Sequence, residues 1–215
     1  LSGLLGTGHH YYYIGVNKIW LIVGGIFSAL EPLAFLAMAL FAVYMYRKGE
    51  KSHPNKIALF WTIGASIVSF IGAGLLGFAH TLPQTNIYTH GTLVTAMHGH
   101  YAFWGAYAMI VLAIISYALP NITGRKLYDS TRGHMAFWLS NIGMLGMTVA
   151  FGVAGVAQVY MERKMKMDFM DVQNEISIHF VVLLLCATLF TTGITLYILE
   201  FIKYGKPTDE ALVKE

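Results

Sequence analysis

Two histidine pairs of opposite spacing are the residues of this chain best suited to chemistry: adjacent His9 and His10 in GTGHHYYYIG, and alternate His98 and His100, parted by Gly99, in HGTLVTAMHGHYAFWGAY. Both lie in strongly apolar sequence, where imidazoles are scarce unless they bind something. Residues two apart on an α-helix are separated by about 200°, so His98 and His100 face opposite ways and are poorly placed to ligate one metal together. A helix offering one imidazole on each side reads as a partition between two metal centres. Single axial histidines suit heme iron, so two hemes are the first expectation. The competing reading, a pair of hydrogen-bonded core histidines, is disfavoured by their depth, their spacing and the small Gly99.

Glu31, in IFSALEPLAF, is the third unusual group. Counted from Ile19 it lies about 18 Å along its helix, near the middle of a membrane, where an ionisable side chain costs about 2.5–3.5 kcal/mol. A metal cation or a role in proton transfer would compensate it, and so would protonation and pairing with another helix. Pro32 loosens the backbone there and frees a carbonyl of the preceding turn. Ser28, three residues earlier on the same face, is placed to hydrogen-bond the carboxyl or hold water.

The other histidines have plainer readings. His53 follows a Ser52 cap and precedes Pro54 at a helix start, as a loop residue does. His134 opens a basic helix end and is expected at the surface. His80 and His90 fall near a membrane face, either interfacial or in contact with a heme carboxylate. His179 reads as a satisfied polar packing residue.

The elements that must position these groups are membrane spans. Over 215 residues, 56% are hydrophobic and 12% charged, and the mean hydropathy of +0.59 is too high for an ordinary soluble domain. Five stretches are long enough to cross a bilayer, roughly Ile19 to Tyr46, Lys56 to Leu82, Thr89 to Leu119, Gly133 to Tyr160 and Val172 to Tyr204. Leu1 to Tyr13 reads as the end of a further helix, so the sequence is expected to start inside a longer protein. The fold class is therefore all-α: a polytopic transmembrane bundle of five full spans plus the end of a sixth. The longest polar connection, Asn121 to Arg132, is short, and residues 1–215 read as one transmembrane domain in contact with membrane lipid. The single cysteine, Cys186, excludes an intrachain disulfide, and without C-x-x-C-H no c-type heme is attached to this chain.

Charge gives the orientation. One side carries Arg47, Lys48, Lys51, Lys56, Arg125, Lys126, Arg132, Lys203, Lys206 and Lys214, and the other Lys18, Arg163, Lys164 and Lys166, so ten against four predicts the first side, with the C-terminus, to be cytoplasmic. The net charge of +3 is small and sits in loops, which points away from nucleic acid as a partner. His9 and His10 then lie at the outer end of their helix. His98 lies about 15 Å along a helix starting near Tyr88. Both pairs occupy the outer half of the membrane.

The stretches GTGHHYYYIGV, FSALEPLAF, SHPNKIALFW, GAGLLGFAHTL, YTHGTLVTAMHGHYAFWGAYAMIVLAIISYALP, GVAGVAQVYMERKM and FMDVQNEI, in this order, closely resemble the catalytic subunit of respiratory nitric oxide reductases, members of the heme-copper oxidase superfamily. The resemblance covers nearly the whole chain and implies the C-terminal half, roughly the last six helices, of a subunit of twelve or more. It implies a bacterial or archaeal cytoplasmic membrane. It also implies two b-type hemes and a non-heme iron: His98 as axial ligand of the high-spin heme, His100 as axial ligand of the low-spin heme, and His9 and His10 as iron ligands. Glu31 would be the iron's carboxylate ligand or its close neighbour and proton carrier, with Ser28 and Thr81 on a proton path and His90 as a heme propionate contact. A third iron histidine, the second low-spin heme ligand and a further acidic residue would come from helices ahead of Leu1. The reaction implied is reduction of two NO to N2O and water, with electrons from quinol or from a cytochrome c through a c-heme subunit.

Two other readings stay open on the residues: a relative that dismutates NO or reduces O2, and a non-catalytic diheme electron carrier. A carboxylate suits iron better than copper, so Glu31 speaks against an oxidase. An electron carrier leaves His9, His10 and Glu31 without a purpose.

Overall fold

In a bilayer every backbone N–H and C=O must be satisfied inside the segment, and five long helices do this over Lys18–Lys48, Lys56–Thr81, Leu93–Thr123, Thr131–Lys164 and Ser177–Glu200, here the first to fifth spans. The computed structural model describes residues 2–49, 55–124 and 130–203, and among these every regular element is helical. Ahead of the spans, Ser2–Gly6 is helical and Thr7–Tyr11 continues as a 3-10 turn. His53 with Ser52 and Pro54, and Lys51, Arg125, Lys126, Lys206 and Lys214, lie outside the described residues.

Several boundaries differ from those read off hydropathy. The third span starts at Leu93 instead of Thr89, because Leu82 is extended and Pro83–Thr89 forms a separate short helix. Gly91, at φ +72°, then turns the chain, and the Thr92 hydroxyl accepts from the Val94 N–H to cap the new helix. His98 therefore lies only about 8 Å into its helix. The fifth span starts at Ser177, since Val172 belongs to a separate helix, Phe169–Glu175. At the other end of the third span the helix runs on through Thr123 and stops at left-handed Gly124.

The first span is broken internally. Lys18–Ser28 ends at Ala29, and Glu31–Lys48 begins anew with Pro32 in its first turn. Pro32 has no N–H to give the Ser28 carbonyl, so the regular ladder cannot cross this point. Glu31 consequently opens a helix, where the positive end of the helix dipole favours a carboxylate.

Each span packs on the next in sequence. Trp61, fully buried, gathers four spans: its ring meets Trp104 at 6.0 Å, Phe137 at 5.1 Å and Tyr197 at 5.6 Å, each edge to face. The second and third spans cross where both carry a π-helical stretch, Phe70–Leu76 and Trp104–Ala108. A Cβ on Gly72 would lie 2.7 Å from the Tyr101 carbonyl carbon, and one on Gly105 would lie 2.6 Å from the Ser69 nitrogen. The two backbones touch, which only glycine permits.

Most hydroxyls inside the spans are satisfied locally. Thr62, Ser66, Ser140, Thr148, Thr188 and Thr192 each donate to the carbonyl four residues back. A second polar group closes the end of the bundle predicted to be cytoplasmic. The Tyr197 hydroxyl donates to the Leu112 carbonyl at 2.9 Å and meets Ser116 at 3.0 Å, while the Asn55 amide donates to the Ser116 carbonyl at 2.8 Å. Beside it Arg132 approaches the buried Glu200 carboxylate at 3.8 Å. His134, expected at the surface, instead packs edge-on against Phe60 with ring centres 4.8 Å apart. Its neighbours in sequence are basic, but its neighbour in space is aromatic.

Candidate metal-binding site

The third span turns its two histidines to different neighbours. The His98 Nδ1–H donates to the Gly72 carbonyl of the second span at 3.0 Å, and its ring lies 5.0 Å from that of His80. A Cβ on Gly77 would come to 3.3 Å from His98 Cε1, so Gly72 and Gly77 together shape the slot for this imidazole. His100 faces the fourth span, its ring 4.9 Å from Phe151, and its Nδ1–H donates to the Ala96 carbonyl at 2.8 Å. Gly99 has open space beside it and His100 is exposed.

His9 repeats the pattern, with its Nδ1–H donating to the Gly6 carbonyl at 2.7 Å. In all three residues a carbonyl engages Nδ1 and the Nε2 lone pair remains the free donor, which is the tautomer an axial or terminal iron ligand needs. The donor set thus fits iron in kind.

His9 and His10 stand with ring centres 4.0 Å apart in the Thr7–Tyr11 turn. That turn sits directly on the first span: a Cβ on Gly24 would lie 2.5 Å from the His9 nitrogen, and one on Gly8 would run into the Trp20 carbonyl. Gly6 touches both sides of the site, because its carbonyl holds His9 and a Cβ added to it would lie 2.8 Å from Glu31 Oε1. Glu31 lies close enough to the Ser28 hydroxyl and to His10 to interact electrostatically with both. The Thr81 hydroxyl donates to the Gly77 carbonyl at 3.0 Å and lies 3.2 Å from Ser28 Oγ, and the Tyr12 hydroxyl donates to the Thr81 carbonyl at 2.8 Å.

His9, His10, Glu31, Ser28, Thr81, His80 and His98 therefore share one neighbourhood, with His100 behind it on the far face of the third span. Among the described residues no three His, Cys, Asp or Glu side chains gather closely enough to hold a metal ion by themselves. His90 is exposed and stands edge-on to Tyr13, with ring centres 4.9 Å apart. A large apolar cavity of about 1070 Å³, lined by Met38, Phe41, Met45, Arg47, Thr62 and Tyr117 among others, lies at the opposite end of the bundle.

His80 is the residue whose place the sequence leaves least certain. It is 6% exposed and stacked on His98, not interfacial. The Asn86 amide donates to its carbonyl at 2.9 Å, and Thr89 Oγ1 lies 3.4 Å from its Nδ1, so the short helix Pro83–Thr89 clamps it from above. The signal for it is the spacing of Gly77 and His80, three apart and so on one helix face.

Over residues 1–199 the chain matches the family of cytochrome c and quinol oxidase polypeptide I. The chain belongs to this family. It is also 42% identical, over 214 residues, to a nitric oxide reductase subunit of Stutzerimonas stutzeri, an alignment covering 96% of this chain and 45% of that relative. The chain thus spans about half the length of the curated relative it matches. Membership of the polypeptide I family agrees with the all-helical bundle of five apolar spans.

Proposed function

We propose that this chain is the C-terminal half of a nitric oxide reductase catalytic subunit, an oxidoreductase that couples two NO to N2O and water with two electrons and two protons. The observation that carries the reading is Glu31 beside His9 and His10, backed by Ser28, in a chain 42% identical to a nitric oxide reductase subunit. A carboxylate next to imidazoles suits iron, whereas copper prefers nitrogen and sulfur donors. Residues 1–215 form one transmembrane domain, with the metal groups in the outer half of a cytoplasmic membrane and the C-terminus on the cytoplasmic side.

His98 would hold a high-spin heme b through Nε2 and His100 a low-spin heme b. His9, His10 and Glu31 would hold a non-heme iron together with ligands from outside this chain. When bound, these groups supply the electrons and the positions for two NO molecules held side by side, a proximity effect. The chain's own residues do the rest. Gly72 and Ala96 fix the two imidazoles through their carbonyls. The third span holds its two imidazoles on opposite faces of a single helix. Thr81 and Ser28 form a hydroxyl pair leading to Glu31, which takes up and releases the proton nearest the reaction. His90, exposed beside Tyr13, is free to meet a heme propionate. NO is small and apolar and reaches the site through the lipid. Quinol, or a cytochrome c acting through a c-heme subunit, supplies the electrons.

Headspace mass spectrometry of the full-length holoenzyme, reduced, anaerobic and given isotopically labelled NO, tests this. Labelled N2O formed catalytically is the expected result. Labelled N2 with O2 would move the protein to dismutation, and the absence of any gas product would leave a diheme electron carrier.

A further inference from the structure

The third span carries both candidate heme ligands, so whatever fixes its depth fixes both. Its first amides are accounted for one by one. The Val94 N–H goes to the Thr92 hydroxyl at 3.3 Å, and the Thr95 and Ala96 N–H groups reach the Thr92 carbonyl at 3.0 and 3.4 Å. The remaining one, from Leu93, has no local acceptor. It donates instead across the bundle to Gln158 Oε1 of the fourth span at 2.9 Å.

Gln158 is 4% exposed and bonded at both ends of its amide. Its Nε2 donates to Glu162 Oε1 at 2.9 Å, one turn further along. The orientation of the amide follows from its partners, since an N–H on one side demands the oxygen and a carboxylate on the other demands the nitrogen. The contacts of the fourth span continue down the third in step. A Cβ on Gly155 would run into the Val94 nitrogen, one on Gly152 would lie 2.8 Å from Met97 Sδ, and Phe151 meets His100 at 4.9 Å. The glycines set how closely the two helices approach. Among the described residues two hydrogen bonds join the helices: the Trp104 indole N–H donates to Asn141 Oδ1 at 3.1 Å, and Gln158 takes the backbone N–H of Leu93, gripping the start of the helix about 8 Å from His98 and about 11 Å from His100.

We infer that Gln158, held in place by Glu162, is a positioning residue that sets the register of the histidine-bearing helix and thereby the reach of His98 and His100 to their hemes. This rests on the heme assignments proposed above. Loss of the acceptor leaves the Leu93 N–H without its partner at the end of the span, and the helix answers by sliding or turning to find another acceptor.

The test uses the full-length holoenzyme and three variants, read by heme content, by the ferric low-spin EPR signal and by the rate of heme loss to excess apo-globin. Gln158→Leu removes the acceptor. Gln158→Glu keeps it but sets one carboxylate against another. Both are expected to shift the low-spin EPR signal and to release heme about tenfold faster, equivalent to about 1.4 kcal/mol. Gln158→Glu combined with Glu162→Gln reverses the polarity of the pair, because the introduced amide now donates to the introduced carboxylate, and wild-type signals are expected to return. Wild-type signals in both single variants would overturn the inference. So would failure of the double variant to improve on Gln158→Glu, since a purely local folding defect has no reason to be cured by the second exchange. A wild-type protein that contains no heme would overturn the functional reading, and this inference with it.

Discussion

His98 and Glu31 are both candidate ligands in one neighbourhood, yet the chain holds them very differently. Around His98 it supplies the Gly72 carbonyl, Gly77, the buried ring of His80, and a fourth span locked to the same helix. Around His9, His10 and Glu31 one side is bare. His10 is exposed, and only 6% of the most apolar stretch of the first span is buried, against 44% for the fourth. The helix carrying His98 and His100 is thus positioned by contacts internal to this chain. The side of His9, His10 and Glu31 is positioned on one flank by Gly6, Gly8 and Ser28, and its completion belongs to whatever covers the first span. In the proposed function that cover is the rest of the subunit.

The contrast predicts separable losses. Glu31→Ala should lower NO turnover at least about 100-fold, the lower range for a lost proton-transfer group, and deplete non-heme iron while both heme spectra persist. Elemental analysis beside optical spectra checks this, and loss of heme as well would show that the two regions are one unit. Gly72→Val attacks the other region, since its side chain meets the Tyr101 backbone and displaces the carbonyl that holds His98. Overpacking of this kind costs about 1–3 kcal/mol, and heme content should fall before the helices unfold. A variant with full heme and an unchanged melting temperature would show the crossing to be looser than described. The smallest effect belongs to Tyr197→Phe at the far end of the bundle, where loss of the bonds to Leu112 and Ser116 should cost about 1 kcal/mol in thermal stability and leave heme and iron spectra unmoved.

Much of this is legible from sequence for simple reasons. Runs of apolar residues longer than a bilayer announce helices, and the angle between residues two apart announces that His98 and His100 part company. The breaks are harder. Spans drawn by length alone run through Thr89–Leu93 and Val172–Ser177, polar stretches where Gly91 and Ile176 interrupt the helices. Glu31 counts as mid-helix by distance from Ile19, whereas Pro32 makes it the start of a new helix. His80 reads as interfacial or as a heme-carboxylate contact when depth is judged along one helix, while its burial comes from Pro83–Thr89 folding over it. Gln158 gives only a faint signal, the every-third-residue series Gly152, Gly155, Gln158, because its partner is a backbone amide 65 residues away.

The π-helical stretch Phe70–Leu76 also bears on how the sequence tolerates editing. A wider turn accommodates a residue that a straight α-helix of the same reach would omit, and each residue rotates the helix beyond it by about 100°. Removing one residue there, other than Gly72, would let the turn relax to ordinary α-geometry with His80 still facing His98 and Thr81 still facing Ser28, whereas the same deletion in the regular helix after it would swing both away. The π turn is thus the place in this span where a change in chain length is best absorbed.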